Sequence, residues 1–101
     1  MTIVNLKYNE YDVELHYGIY LNNGRHALSL IDKTDTEPIA TCTINLPTHQ
    51  IEKDEVAIKS YSENEGMLEW LMKYKIVSKP IRFVPAGFVV VPICKLLIQP
   101  N

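Results

Sequence analysis

Hydrophobic and polar residues alternate strictly through residues 11–19, the stretch YDVELHYGI. Successive side chains of a β-strand point to opposite faces, so this period of two predicts a strand with one buried face. A shorter alternation over residues 4–8 predicts a strand before it, with a turn at residues 9–10. The Asn-Gly pair at residues 23–24 is typical of two-residue hairpin turns, and it predicts that the next apolar run, HALSLID, pairs with the second strand.

Later apolar runs complete the predicted sheet. IATCTINL alternates, and VAIK is short enough for a single brief strand. IRFV and FVVVPICKLL predict two final strands joined by a turn at PAG. The last run is apolar on both faces, which is typical of a strand covered on both sides. Pro92 within it predicts a bulge or an edge position, because proline has no N–H to donate.

A helical spacing of apolar residues occurs between residues 62 and about 75. Met67, Leu68, Leu71 and Tyr74 form one apolar stripe, and Trp70 flanks it. The serines at positions 60 and 62 each stand three residues before a glutamate, which is the spacing of a capping box at a helix start. The stretch SENEGM is therefore predicted to begin a helix, the alternative being an acidic functional loop.

Together these elements predict an α+β fold. We expect a curved, mostly antiparallel sheet of about six strands packed on one helix. The 101 residues predict one domain covering residues 1–101, and a hydrophobic content of 47% is ordinary for a globular domain with its own core.

Charge and hydropathy exclude some classes of partner. Ten Lys and Arg against twelve Asp and Glu leave a net charge of −2, with no basic stripe of the kind that nucleic-acid binders carry. The longest apolar run, residues 88–94, is too short to span a bilayer, and the first residues lack a signal-peptide core. We therefore expect a cytoplasmic protein that contacts neither membrane nor nucleic acid directly.

Residues with catalytic or metal-binding potential are scattered. His16, His26 and His49 lack metal-ligand spacing, and no glycine-rich phosphate loop is present. Cys42 and Cys94 lie in apolar runs, which predicts buried free thiols, and a buried thiol is a poor nucleophile. We expect no catalytic residue, no metal and no cofactor.

The outward face of the second strand is the candidate partner surface. Alternation places Asp12, Glu14, His16 and Tyr20 opposite the core. In such a surface the tyrosine would be an anchor and the acids would steer a basic partner. The alternative is a plain solvated face.

Longer stretches carry a family resemblance. YSENEGM, TINLP and GFVVVPICKL resemble a family of small uncharacterised proteins of bacteriophages and bacterial mobile elements, classed as a domain of unknown function. The resemblance covers about residues 20–96. It implies no enzymatic activity and no catalytic residues, but it implies a small accessory gene whose neighbours in such elements include inhibitors of host defence.

We therefore expect a non-enzymatic protein-binding accessory protein of a phage or mobile element. Its expected partner is a host protein, and inhibition of a host defence or nuclease complex is the candidate role. One alternative is a small enzyme or ligand-sequestering protein with a pocket between helix and sheet. Another is a structural homo-oligomer with an edge-strand interface. An exposed apolar or charged patch would favour a binding module.

Overall fold

The protein folds into two antiparallel sheets and one short helix. The structure, a computed structural model, describes residues 2–98. The first sheet has the order β1-β2-β3-β4 and the second the order β5-β7-β6. A single 3-10 turn, Ser62–Asn64, precedes helix α1, Met67–Lys73. The strands are β1 (Thr2–Tyr8), β2 (Tyr11–Ile19), β3 (His26–Asp32), β4 (Pro38–Thr41), β5 (Glu55–Ala57), β6 (Val77–Ala86) and β7 (Val89–Leu96).

The predicted α+β class is confirmed, but the prediction of a single curved sheet of about six strands is wrong. Residues 2–98 contain seven strands in two sheets. The division falls in IATCTINL, which was expected to be one strand: β4 ends at Thr41, and Thr43 then forms a bridge with Ile58 beside the second sheet. The burial pattern changes at the same point: the consecutive residues Cys42 and Thr43 are both buried, which a single strand with one buried face would not give.

The main core lies between helix α1 and both sheets. Met67 and Leu71 of α1 are fully buried against apolar side chains of both sheets. A smaller core lies on the other face of the second sheet, around Val91 and Ile93. The central strand β7 is therefore buried on both faces over part of its length, as its apolar sequence predicts. Buried side chains of the main core include Val13, Leu15, Leu28, Leu30, Val56, Ile58, Val77 and Cys94.

Pro92 was expected at a bulge or at an edge, and the structure shows neither. It lies regularly opposite Phe83 in the central strand β7. On the other side of β7, strand β5 has already ended at Ala57, which pairs with Ile93. The carbonyl of Pro92 still accepts the N–H of Ile58 at 3.0 Å, so this contact lacks only the bond that an N–H at position 92 would have donated.

Helix α1 is shorter than predicted. Ser62 has a positive φ of 55°, and Gly66, with φ of 89°, separates the 3-10 turn from the helix. The first helical turn receives its side-chain bond from Ser60, whose Oγ accepts the N–H of Leu68 at 3.0 Å. SENEGM therefore leads into the helix without being its first turn, and the predicted range of residues 62 to about 75 is wrong at both ends.

The β2–β3 connection is a four-residue loop, not a two-residue turn centred on residues 23–24. Ile19 pairs with His26, and the loop is closed by the N–H of Tyr20 donating to the carbonyl of Arg25 at 2.8 Å. This register places His16 opposite Ser29, two residues from the partner that a turn centred on Gly24 predicts.

One prediction extends beyond the described residues. The expected single domain of residues 1–101 includes Met1 and residues 99–101, which lie outside them. Among residues 2–98, no helix is both long and apolar enough to cross a bilayer.

Candidate functional site

Three of the four predicted partner-binding residues lie together on the outer face of β2. The Asp12 carboxylate lies 2.8 Å from Lys7 Nζ, its cross-strand neighbour, and this contact lowers the pKa of Asp12. Glu14 Oε1 lies 3.2 Å from His16 Nε2. Lys7 compensates the charge of Asp12, and the ring nitrogen of His16 lies within hydrogen-bond distance of Glu14, so both acids already have a partner within this face.

Tyr20 does not join them, although alternation places it on the same face. Strand β2 ends at Ile19, and beyond that point the period of two no longer applies. The Tyr20 hydroxyl lies 3.0 Å from Oγ1 of Thr43, which is buried where the chain passes between the sheets. Tyr20, which was predicted to anchor a partner, therefore forms a hydrogen bond within the fold.

An open cleft of about 200 Å³ lies between the β2–β3 loop and the segment before β5. Its polar side chains hold that segment in place: Arg25 donates to the carbonyls of Leu46 and His49, each at 2.6 Å. His26 Nε2 likewise pairs with the carbonyl of Lys53. Ligand pockets usually enclose roughly 300–1,000 Å³ and present a few polar groups to the ligand. This cleft is smaller, and its Arg25 and His26 side chains are bonded to backbone carbonyls.

The space between helix and sheets, where a ligand pocket was expected as an alternative, is filled by side chains. Met67 and Leu71 are fully buried there. Cys42 and Cys94 are free and buried as predicted, and burial raises the pKa of Cys42 to about 12 and of Cys94 to about 11. Both thiols therefore stay protonated and unreactive at neutral pH. Within residues 2–98, no group of three His, Cys, Asp or Glu side chains is placed to hold a metal ion.

The most distinctive exposed feature is an apolar surface on the β6–β7 hairpin. We call it the hairpin patch and define it as Ile81, Phe83, Pro85, Phe88 and Val90. Pro85 pairs with Val90 across the hairpin, and Phe83 lies two residues from Pro85 on the same face. Phe83 is 59% exposed, Val90 62%, and Phe88 projects fully into solvent from the turn.

The hairpin patch continues the sheet face that α1 covers. Val90 and Cys94 point to the same side of β7, because they are four positions apart in the strand. At Cys94 this side is packed in the main core with Met67 of α1. Helix α1 has only seven residues and leaves the far end of the same face, at Phe83 and Val90, exposed.

The outer edge of β6 is protected against pairing with another strand. Strand β6 has β7 on one side and no strand on the other in the described sheet. Pro80 and Pro85 lie along it, and neither has an N–H to donate. Prolines on an edge strand are a common means of preventing strand addition. The exposed feature of this hairpin is therefore its face, not its edge.

Sequence reasoning missed the hairpin patch, because an apolar run at the end of the chain was taken as covered. Two signals were available. Phe88 follows Gly87 in a two-residue turn, and a side chain at such a tip cannot be covered by its own hairpin. Pro80 and Pro85 flank the run IRFV, and prolines of this kind indicate an edge strand.

No protein-family model, no curated protein and no solved structure matches this chain. The resemblance to small phage and mobile-element proteins therefore stays an expectation from the sequence.

Proposed function

We propose that this chain is a non-enzymatic protein-binding accessory protein that contacts its partner through the hairpin patch. The observation that carries the proposal is the exposure of five uncharged apolar residues together on one hairpin. Exposed apolar patches of several hundred Å² on soluble domains mark interaction sites. Aromatic residues such as Phe83 and Phe88 are enriched at the centre of such interfaces, where charged residues are depleted.

The biological setting follows from the sequence resemblance. In a phage or mobile element, a small protein of this kind would act on a host protein, and its candidate role is inhibition of a host defence or nuclease complex. The filled space beside α1 and the small cleft favour binding of a protein over sequestration of a ligand.

Affinity capture tests the proposal. The wild-type protein, a Phe83→Ser/Phe88→Ser double variant and a Leu21→Ser control would each be immobilised and exposed to host lysate. Leu21 is 97% exposed in the β2–β3 loop and lies outside the hairpin patch, so it controls for the loss of an exposed apolar side chain. We expect the double variant to retain at least about tenfold less of the captured protein, because truncating two central anchors removes more than ~1.4 kcal/mol.

Equal capture by all three proteins would contradict the proposal. Melting temperatures of the variants should match that of the wild type, because the substituted side chains lie in solvent. Matching values would show that any loss of capture comes from the surface and not from unfolding.

A further inference from the structure

We infer that, in the absence of the host partner, the hairpin patch is closed by a second copy of this chain, so that the free protein is a homodimer. The inference rests on the proposed function, because it names the occupant of the same surface that a host partner would have to displace. It differs from the edge-strand oligomer expected as an alternative from the sequence, because the two copies would meet by the faces of their hairpins.

The chemistry of the hairpin patch suits self-association. A two-fold axis brings the same surface of both copies together, so a charge close to the axis would face its own like charge. Ile81, Phe83, Pro85, Phe88 and Val90 carry none. Homodimer interfaces are also the most apolar class of protein interface. The net charge of −2 adds little repulsion between whole molecules.

The size of the patch fits a small dimer. Two exposed phenylalanines contribute roughly 300 Å² and the three aliphatic residues about 200 Å² more, from the usual areas of such side chains. Two copies would then bury about 1,000 Å² of apolar side-chain surface, and the surrounding backbone and rim add to this. A specific interface needs about 1,000 Å² in total.

The geometry of the hairpin directs how the copies meet. Pro80 and Pro85 withhold backbone donors along the outer edge of β6, so two β6 strands cannot pair into one continuous sheet. The face is open because α1 stops short of it. The outer face of β2, with Asp12, Glu14 and His16, belongs to the other sheet. A face-to-face arrangement of the hairpins therefore leaves this face outside the dimer interface in each copy.

Sedimentation equilibrium of the purified full chain tests the inference. At micromolar concentrations we expect the wild type and Leu21→Ser to show twice the mass of a single chain, and Phe83→Ser/Phe88→Ser to show the single mass. A second variant, Val90→Lys, places a like-charge pair across the two-fold axis. We expect it to weaken the dimer at least about tenfold, and high salt should partly restore it, since salt screens charge repulsion.

The outcomes separate the inference from the proposed function. A monomeric wild type whose double variant still loses host capture would overturn the dimer and leave the binding function in place. A monomeric wild type with unchanged capture by the variant would overturn both. A dimer that persists in both hairpin variants would place the interface elsewhere and overturn this inference.

Discussion

At the scale of single residues, Glu55 and Arg82 form the most buried ion pair described. Glu55 is 4% exposed and Arg82 38%, and both guanidinium nitrogens lie 2.9 Å from the carboxylate oxygens. Arg82 also donates to the carbonyl of Gln50. The pair reaches across β7, since β5 and β6 are its two neighbours. Arg82 lowers the pKa of Glu55 below its ordinary value of 4.5.

This pair gives a pH-dependent prediction. Arg82→Ala leaves a buried carboxylate unpaired, and we expect a loss of about 2 kcal/mol at neutral pH, below the ~3–5 kcal/mol of fully buried pairs because Arg82 is partly in solvent. A carboxyl group whose folded pKa is lowered stabilises the fold above its unfolded value and loses that contribution as pH falls through the folded value. The difference between variant and wild type should therefore shrink below pH 4.5.

Urea denaturation across a pH series measures this difference. Lys7→Ala is the matched control, because Lys7 and Asp12 form an ion pair in which both side chains are well exposed, and its loss should change stability by less than ~0.5 kcal/mol. A penalty for Arg82→Ala that stays constant from neutral to acidic pH would show that the carboxylate is not the cause.

Other single residues show where sequence reasoning stops. Asn64 lies between two glutamates in the stretch SENEGM, yet its side chain is buried and donates to the carbonyls of Thr41 and Lys59. Asn5, Ser62 and Lys75 adopt positive φ, a region that residues with a Cβ rarely enter. Nothing in a single sequence marks these positions, because their conformation is imposed by the surrounding chain.

At the scale of elements, the start of α1 can be tested residue by residue. Ser60→Ala removes the acceptor for the Leu68 N–H and should lower stability by ~1 kcal/mol, the usual effect of losing a side-chain cap. Ser62→Ala should change stability by less than ~0.5 kcal/mol, since no side-chain cap bond forms at the 3-10 turn that Ser62 begins. The denaturant midpoints of the two variants show which serine caps the helix. A larger loss of stability in Ser62→Ala than in Ser60→Ala would show that Ser62 is the cap.

Some elements could be predicted from their sequence patterns more completely than others. Strand β2 and the β1–β2 turn at residues 9–10 follow prediction, because alternation and local turn residues both concern neighbouring positions. Trp70, expected beside the helical stripe, packs edge-on against Tyr8 and donates its Nε1–H to the carbonyl of Lys7. The position of Tyr20 could not be obtained in this way, because it depends on where β2 ends. The hairpin patch was marked only by Phe88 in its turn and by the prolines of β6, and the exposure of Val90 depends on where the helix ends.

At the scale of the whole molecule, Thr43 connects the two sheets. It bridges Ile58, and its Oγ1 accepts the N–H of Leu28 at 3.2 Å and pairs with the Tyr20 hydroxyl at 3.0 Å. Thr43→Val keeps the shape and removes the acceptor, leaving a buried N–H unpaired. We expect a loss of about 2 kcal/mol, and less than additive loss when it is combined with Tyr20→Phe, because both variants remove the same hydrogen bond.

Urea unfolding of the single and double variants measures this coupling, with Thr41→Val at an exposed neighbouring position as the control. Fluorescence of Trp70 and far-ultraviolet circular dichroism should give coincident transitions if the sheets unfold together. Strict additivity of Thr43→Val and Tyr20→Phe would show that the hydroxyl pair does not connect them.

The strand order of the two sheets has a consequence for synthesis on the ribosome. In the first sheet every strand pairs with its neighbour in the chain, so this part can form as soon as it emerges. Strand β5 has only β7 as its partner strand, and β7 is translated after both α1 and β6. Until β7 emerges, the segment that contains β5 therefore has backbone contacts with residues 43–44 but no partner strand, and this is the interval in which chaperones would protect it.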